Sequence, residues 1–239
     1  MTHPSFAYDH PLPSLRVTKD FLVSLEEYLV KKVSETSLMS LEEAQAALRI
    51  EIDDSLGSER LNSIAQLDAS CFSDSTNRIE VELEAPYRKD DRRLRIRLSF
   101  SKGRLFSTLA ISATAPNARD VVLSLKEGIF RVVDPQRTWH WLFHPNPQTW
   151  GVVSVIGIIL VYLLIHQDLK GSIFPLTLVT FAFIWFYLFK FGSLRPYIAF
   201  DSRASKRYDK IWSWFITGLG TFIFFGTLFT LFRRHIFGF

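Results

Sequence analysis

Apolar residues recur along the first 136 residues with two different periods, and each change of period marks an element. Phe21, Leu25, Tyr28 or Leu29, and Val33 share one stripe at helical spacing, while Glu26, Glu27, Lys31 and Lys32 fill the wetter side. Thr18 can cap this helix, which is predicted to run to about Ser34. Ser40 and Glu43 have capping-box spacing and predict a short second helix ending near Ala46. From Leu48 the period falls to two, with Leu48, Ile50 and Ile52 alternating with Arg49, Glu51 and Asp53. The same alternation returns in Ile79, Val81 and Leu83, and again in Leu94, Ile96, Leu98 and Phe100. Beyond a turn at Ser101 to Gly103 it continues in Leu105, Leu109 and Ile111, which predicts a hairpin.

On the wet side of these strands Glu80, Glu82 and Glu84 are expected across from Arg93, Arg95 and Arg97, each pair contributing about 0.2–1 kcal/mol. Residues 54–76 interrupt the pattern and read only as a turn at Ser55 to Ser58 plus a small apolar group of Ile64, Leu67 and Phe72. A closing helix is predicted from the Asn117 cap, with Val121, Val122, Leu125, Ile129 and Val132 facing the sheet and Pro135 ending it. The resulting fold class is α+β: a two-layer domain over 18–136 with an antiparallel sheet and flanking helices. A flexible segment, 1–17, precedes it, and a linker, 137–149, follows.

Charge changes the picture beyond that point. Residues 1–149 carry 19 Lys+Arg and 21 Asp+Glu, whereas residues 150–239 carry 9 and 3 and hold 15 of the 22 Phe. Three charge-free runs predict an all-α transmembrane domain over 150–232, with spans at about 148–167, 171–189 and 211–232 and a tail at 233–239. Trp139, Trp141, Trp150, Trp212 and Trp214 would border the spans. The stretch 190–210 holds six basic and two acidic residues, so it and the front domain are expected on the cytoplasmic side of a multi-pass protein. The first twenty residues show no apolar export signal, and the single Cys71 permits no internal disulfide.

Chemistry-bearing residues form no catalytic, cofactor or metal constellation: HExxH, GxSxG and a glycine-rich phosphate loop are missing from the chain. Asp53, Asp54 and Glu59 around Gly57 lack calcium-loop spacing and read as a solvated turn. Cys71 has no neighbouring histidine and reads as a structural thiol. His140, His144 and His166 accompany Trp139, Trp141 and Phe143 and read as interfacial, while His3, His10 and His235 form no ligand set. The basic stretch from Arg88 to Arg97 is neutralised by Asp90, Asp91 and the glutamate strand, so direct nucleic-acid binding is not expected. Gly218, Gly220 and Gly226 are candidate helix-packing positions, within the protomer or between protomers. Arg203, Lys206, Arg207 and Lys210, with Tyr197, Ile198, Phe200 and Tyr208 as apolar anchors, are candidate contacts to anionic lipid headgroups.

The layout over 18–232, together with the ISATAPNARDVVLSL region framed by Ile111 and Val121 to Leu125, resembles small bacterial antiphage-defence transmembrane effectors. The transmembrane proteins that accompany some retrons are one such class. This resemblance implies a cytoplasmic sensing domain whose spans perturb the bacterial inner membrane once triggered, with membrane lipids and a protein partner or a homo-oligomer as partners. The alternative is a constitutive, non-enzymatic membrane anchor or subunit of a protein complex.

Overall fold

The computed structural model describes residues 3–36, 39–67, 72–85, 92–144, 155, 196–214, 217–218 and 221. Strands β1 (Ser5–Pro11) and β2 (Leu15–Val17) come first, followed by helices α1 (Lys19–Glu35) and α2 (Leu41–Ala47). Then come β3 (Leu48–Asp53), β4 (Ser58–Leu61), β5 (Arg78–Glu84), β6 (Arg93–Ser101) and β7 (Thr108–Thr114), helix α3 (Ala118–Val133) and strand β8 (Ile198–Phe200). Residues 203–214 form a further helix, α4. Six strands make one antiparallel sheet in the order β1-β7-β6-β5-β3-β4, while β2 and β8 pair in parallel as a separate two-stranded sheet.

Alternation along the strands sends Leu48, Ile50, Ile79, Val81, Leu83, Leu94, Ile96, Leu98, Phe100, Leu109 and Ile111 to one face, where all are buried. Helices α1 and α3 cover that face with Phe21, Leu22, Leu25, Leu29 and Val33 from one and Val121, Val122, Leu125, Ile129 and Val133 from the other. Phe21 meets Phe100 edge to face, with ring centroids 5.7 Å apart. The caps act locally: the Thr18 hydroxyl accepts from Phe21 N–H, and Ser40 and Glu43 form a reciprocal capping box. Asn117 occupies the cap of α3 without a side-chain bond. The carboxylate of Glu26 accepts from Ile64 N–H at 2.8 Å, and Lys19 donates to the Leu67 carbonyl, which fastens the 64–67 segment to α1.

Several expectations are corrected. The leading segment, read as flexible, supplies the edge strand β1 and the strand β2, because Phe6, Tyr8 and His10 alternate with Ala7 and Asp9 and pair with β7. Leu105 is not in β7: it sits in a short 3-10 turn, Arg104–Phe106, and is 82% exposed. Val133 rather than Val132 closes the inner face of α3. Most importantly, the described residues form a sheet-rich α+β fold, and among them no helix is long and apolar enough to cross a membrane. The expected all-α three-span region and the multi-pass inner-membrane location drawn from it are therefore corrected. The runs 148–167 and 171–189 lie outside the described residues apart from Val155, as do most of 211–232 and all of 233–239. The described part of the last run continues α4, whose first turns carry Arg203, Lys206, Arg207 and Lys210 rather than an apolar start. A charge-poor run is necessary for a span but does not distinguish it from apolar residues that bury against protein. Tyr197, Ile198, Ala199 and Phe200, from the supposedly aqueous 190–210 loop, are all buried.

The approach of α1 to α3 rests on one glycine. A Cβ at Gly128 would stand 1.7 Å from the Tyr28 hydroxyl oxygen, so that residue type lets the tyrosine lie against α3. The Tyr28 hydroxyl is buried without a hydrogen-bond partner among the described residues, and desolvation raises its pKa. Gly128→Ala is expected to cost about 1–3 kcal/mol through overpacking. Tyr28→Phe, which removes only the unpartnered hydroxyl, is expected to be neutral or slightly stabilising. Chemical denaturation of both variants checks the pair, and an undiminished Gly128→Ala protein would refute the close-approach account.

Candidate functional site: the open sheet face and the strand seam

The second face of the large sheet is wet; among the described helices only α2 borders it, where Glu43, Ala46 and Ala47 lie beside Arg49, Glu82 and Glu84. Arg49, Glu51 and Asp53 of β3, Arg78, Glu80, Glu82 and Glu84 of β5, and Arg93, Arg95 and Arg97 of β6 project there by strand alternation, with Arg60 of β4 beside Glu51. Pairing in register sets Glu82 opposite Arg97 and Glu84 opposite Arg95. The ion pairs nevertheless run diagonally, since long side chains on a twisted sheet reach the neighbour one step along. Arg95 donates to Glu82 Oε1 from both Nε and Nη2, at 2.9 and 2.7 Å. Arg97 donates to Glu80, which also meets Arg78 at 3.4 Å, and Arg78 Nε donates to Asp53 Oδ2 at 2.7 Å. One chain of alternating charge thus crosses β6, β5 and β3. Arg93 faces Thr114 of β7 rather than a glutamate, so the three-pair ladder expected from sequence is realised in a shifted form.

Burial grades this ladder. Glu80 is only 8% exposed, whereas Arg60 stands far out in solvent beside Glu51 at 3.5 Å. The hydrogen bond to Glu80 raises the Arg97 pKa above its ordinary value, and the bond to Glu82 does the same for Arg95. An exposed pair contributes under about 1 kcal/mol, while unpairing a nearly buried carboxylate costs more. Two concavities open on this face, one lined by Glu43, Ala46, Ala47, Arg49, Glu82, Glu84 and Ala85, the other by residues including Arg49, Glu51, Arg60, Glu80 and Glu82. Arg49 makes no ion pair with a described residue.

The second assembled region is the seam between the front of the chain and residues 196–209. Strand β8 runs parallel to β2 with Leu15 opposite Ile198 and Val17 opposite Phe200. Leu15 N–H donates to the Tyr197 carbonyl at 3.3 Å, Tyr197 N–H to the Lys102 carbonyl at 3.0 Å, and Asp201 N–H to the Val17 carbonyl at 2.9 Å. The buried Tyr197 hydroxyl donates to the Leu12 carbonyl at 2.9 Å. Arg16 pairs with Asp209 at 2.6 Å, and the imidazole Nδ1 of His140 lies 2.9 Å from the Pro196 carbonyl oxygen. Asp74 Oδ1 accepts from Ala204 N–H at 2.8 Å, capping the start of α4 from a distant part of the chain. That bond, then a Ser202 hydroxyl bond, hold the Asp74 carboxyl below its ordinary 3.8.

Residues singled out from sequence fall mostly around this seam or beyond the described region. Tyr197, Ile198 and Phe200, read as lipid anchors, are core residues here, which corrects that reading. Lys206 pairs with Asp201 at 3.0 Å, Arg203 and Arg207 act electrostatically on Asp74, and Lys210 is exposed. A Cβ at Gly218 would meet nothing within 4 Å, while Gly220 and Gly226 lie outside the described residues. His144 packs edge to face on Tyr197, and His166 and Cys71 lie outside the described residues. Among the described residues no group of His, Cys, Asp and Glu could hold a metal ion. Strand β8 was missed from sequence, although Tyr-Ile-Ala-Phe at 197–200 is an apolar, strand-prone run inside a basic stretch. Comparison of the chain with protein-family models, curated proteins and solved structures gives no match.

Arg97→Glu is expected to cost about 1–3 kcal/mol, because a second carboxylate would face the nearly buried Glu80, whereas Arg95→Glu is expected to cost under about 1 kcal/mol. Equal shifts of the two denaturation midpoints would remove burial as the grading factor. Asp74 has a depressed folded pKa, so its contribution to holding α4 is complete above 3.8 and lost as pH falls through the lower folded value. The protection factors of residues 198–206, which normalise hydrogen exchange for the acid-slowed intrinsic rate, should therefore fall on acidification in the native protein. In Asp74→Ala protection should be low already at neutral pH and change less on acidification.

Proposed function

We propose that the chain is a non-enzymatic sensing or regulatory module that engages a protein partner, as one subunit of a complex, through the open face of its large sheet. One observation carries this reading: an alternating series of Arg and carboxylate pairs spans β4, β3, β5 and β6 on a face that, among the described helices, only α2 borders, at one end. A solvated ladder adds little to stability, so its extent is better accounted for by recognition. Alternating sign favours a protein of mixed charge over nucleic acid, which would select a continuous cationic track.

The rim residues Arg49 and Arg60 offer the test, because neutralising exposed side chains leaves stability within about 0.5 kcal/mol. The intact wild-type chain and an Arg49→Gln/Arg60→Gln variant are purified under native conditions from the source cells, with bound proteins quantified. A stoichiometric partner held by the wild type and reduced about tenfold by the variant, at unchanged thermal unfolding, is the expected result. Identical partner recovery from both proteins would sink the proposal.

A further inference from the structure

We propose that the cleft between the 73–77 turn, Lys102 and the segment 196–208 binds a small organic anion, its head group on Lys102 and Thr76 and its apolar body against Phe200 and Tyr208. The cleft has a volume of about 190 Å³. A benzene-sized body needs about 150 Å³, so a single ring fits with its head group toward the polar wall. Thr76 lines the cleft, is 1% exposed, and carries a hydroxyl with no hydrogen-bond partner among the described residues. A buried hydroxyl left in that condition destabilises the fold, unless a ligand supplies the missing bond.

Lys102 is the cation of the site. Its ammonium donates to the Asp74 carbonyl at 3.5 Å and to Asn77 Oδ1 at 3.3 Å, both neutral oxygens. No carboxylate of a described residue lies within ion-pair distance of it, and an ammonium has three donors, so one remains to be used. Desolvation lowers the Lys102 pKa, with the Asp74 charge opposing it. An anion in the cleft would therefore restore a partner to a poorly hydrated charge. Asp74 lines the same cleft, but its carboxylate already serves Ala204 N–H and the Ser202 hydroxyl at the start of α4. Pro196, Ala199 and Phe200 supply an apolar wall that an inorganic ion alone would leave unused. The site is independent of the open sheet face, so either reading can fail without the other.

The full chain is titrated calorimetrically with benzoate, phenyl phosphate and the uncharged benzamide. Saturable binding of benzoate or phenyl phosphate is expected, with benzamide weaker by about tenfold or more, as loss of one charge-assisted bond implies. The stronger of the two anions identifies the head group. Lys102→Gln should weaken binding by a similar factor and Lys102→Arg should retain it. Thr76→Val should raise the melting temperature of the unliganded protein while weakening the anion, a combination that a merely structural threonine would not give. Absence of binding by both anions up to about 10 mM, equal binding of benzamide, or unchanged affinity in both Lys102→Gln and Thr76→Val would overturn the proposal.

Discussion

Side-chain alternation along β3, β5, β6 and β7 is the constraint on which the molecule depends. Each strand presents every second residue to the layer of α1 and α3, and those positions are aliphatic or aromatic almost without exception. A slip of one residue in β6 or β5 would bury Arg95 or Glu82 beneath the helices and expose Ile96 or Leu83. The apolar cost of such a slip is large, which makes the register unambiguous. The ladder of Arg and carboxylate on the other face follows from the same register, since it consists of the positions that the core does not claim.

The strand seam obeys a different logic. β2 and β8 are far apart in sequence, and joining them closes a long loop, yet loop-closure entropy grows only with the logarithm of length. Buried apolar area from Tyr197, Ile198 and Phe200, together with the Tyr197 to Leu12 hydrogen bond, offsets that cost. The Asp74 contact extends the seam by one more bond and sets the first turn of α4 against the 73–77 turn. The cleft proposed as an anion site exists because of this closure: one wall belongs to the front of the chain and the other to 196–208. A ligand held between the two walls would favour the docked arrangement by the difference in its affinity for docked and undocked forms, and so would couple binding to the docking of 196–208.

Stability and recognition pull the charged face in different directions. The inner members, Glu80 with Arg97 and Arg78, are shielded enough to act as structural pairs, whereas Arg49 and Arg60 are exposed and add little to folding. Rim charges on such a face act mainly on encounter rate and partner discrimination. The proposed functional residues are therefore those whose removal the fold tolerates best, as expected of a binding surface carried by a rigid sheet.

The chain alone determined what is local. The period-two runs at 48–53, 79–83 and 94–100, the helical stripe from Phe21 to Val33, and the Thr18 and Ser40 caps are set by neighbours within a few residues, so pattern reveals them. The opposed Glu and Arg strands were legible for the same reason, although their diagonal pairing was not, because it depends on twist and rotamer. Only tertiary structure decided the rest. Ser5–Pro11 became an edge strand because β7 was there to receive it, and Tyr197–Phe200 became core rather than loop because β2 offered a parallel partner. The spans expected at 148–167, 171–189 and 211–232 have no counterpart among the described helices, none of which is long and apolar enough to cross a membrane; hydrophobicity specifies that a residue leaves water and is silent on what replaces the water. Thr76 and Lys102 carry no mark in the sequence, since a hydroxyl with no described partner and an ammonium with no described carboxylate beside it are defined by what surrounds them in space.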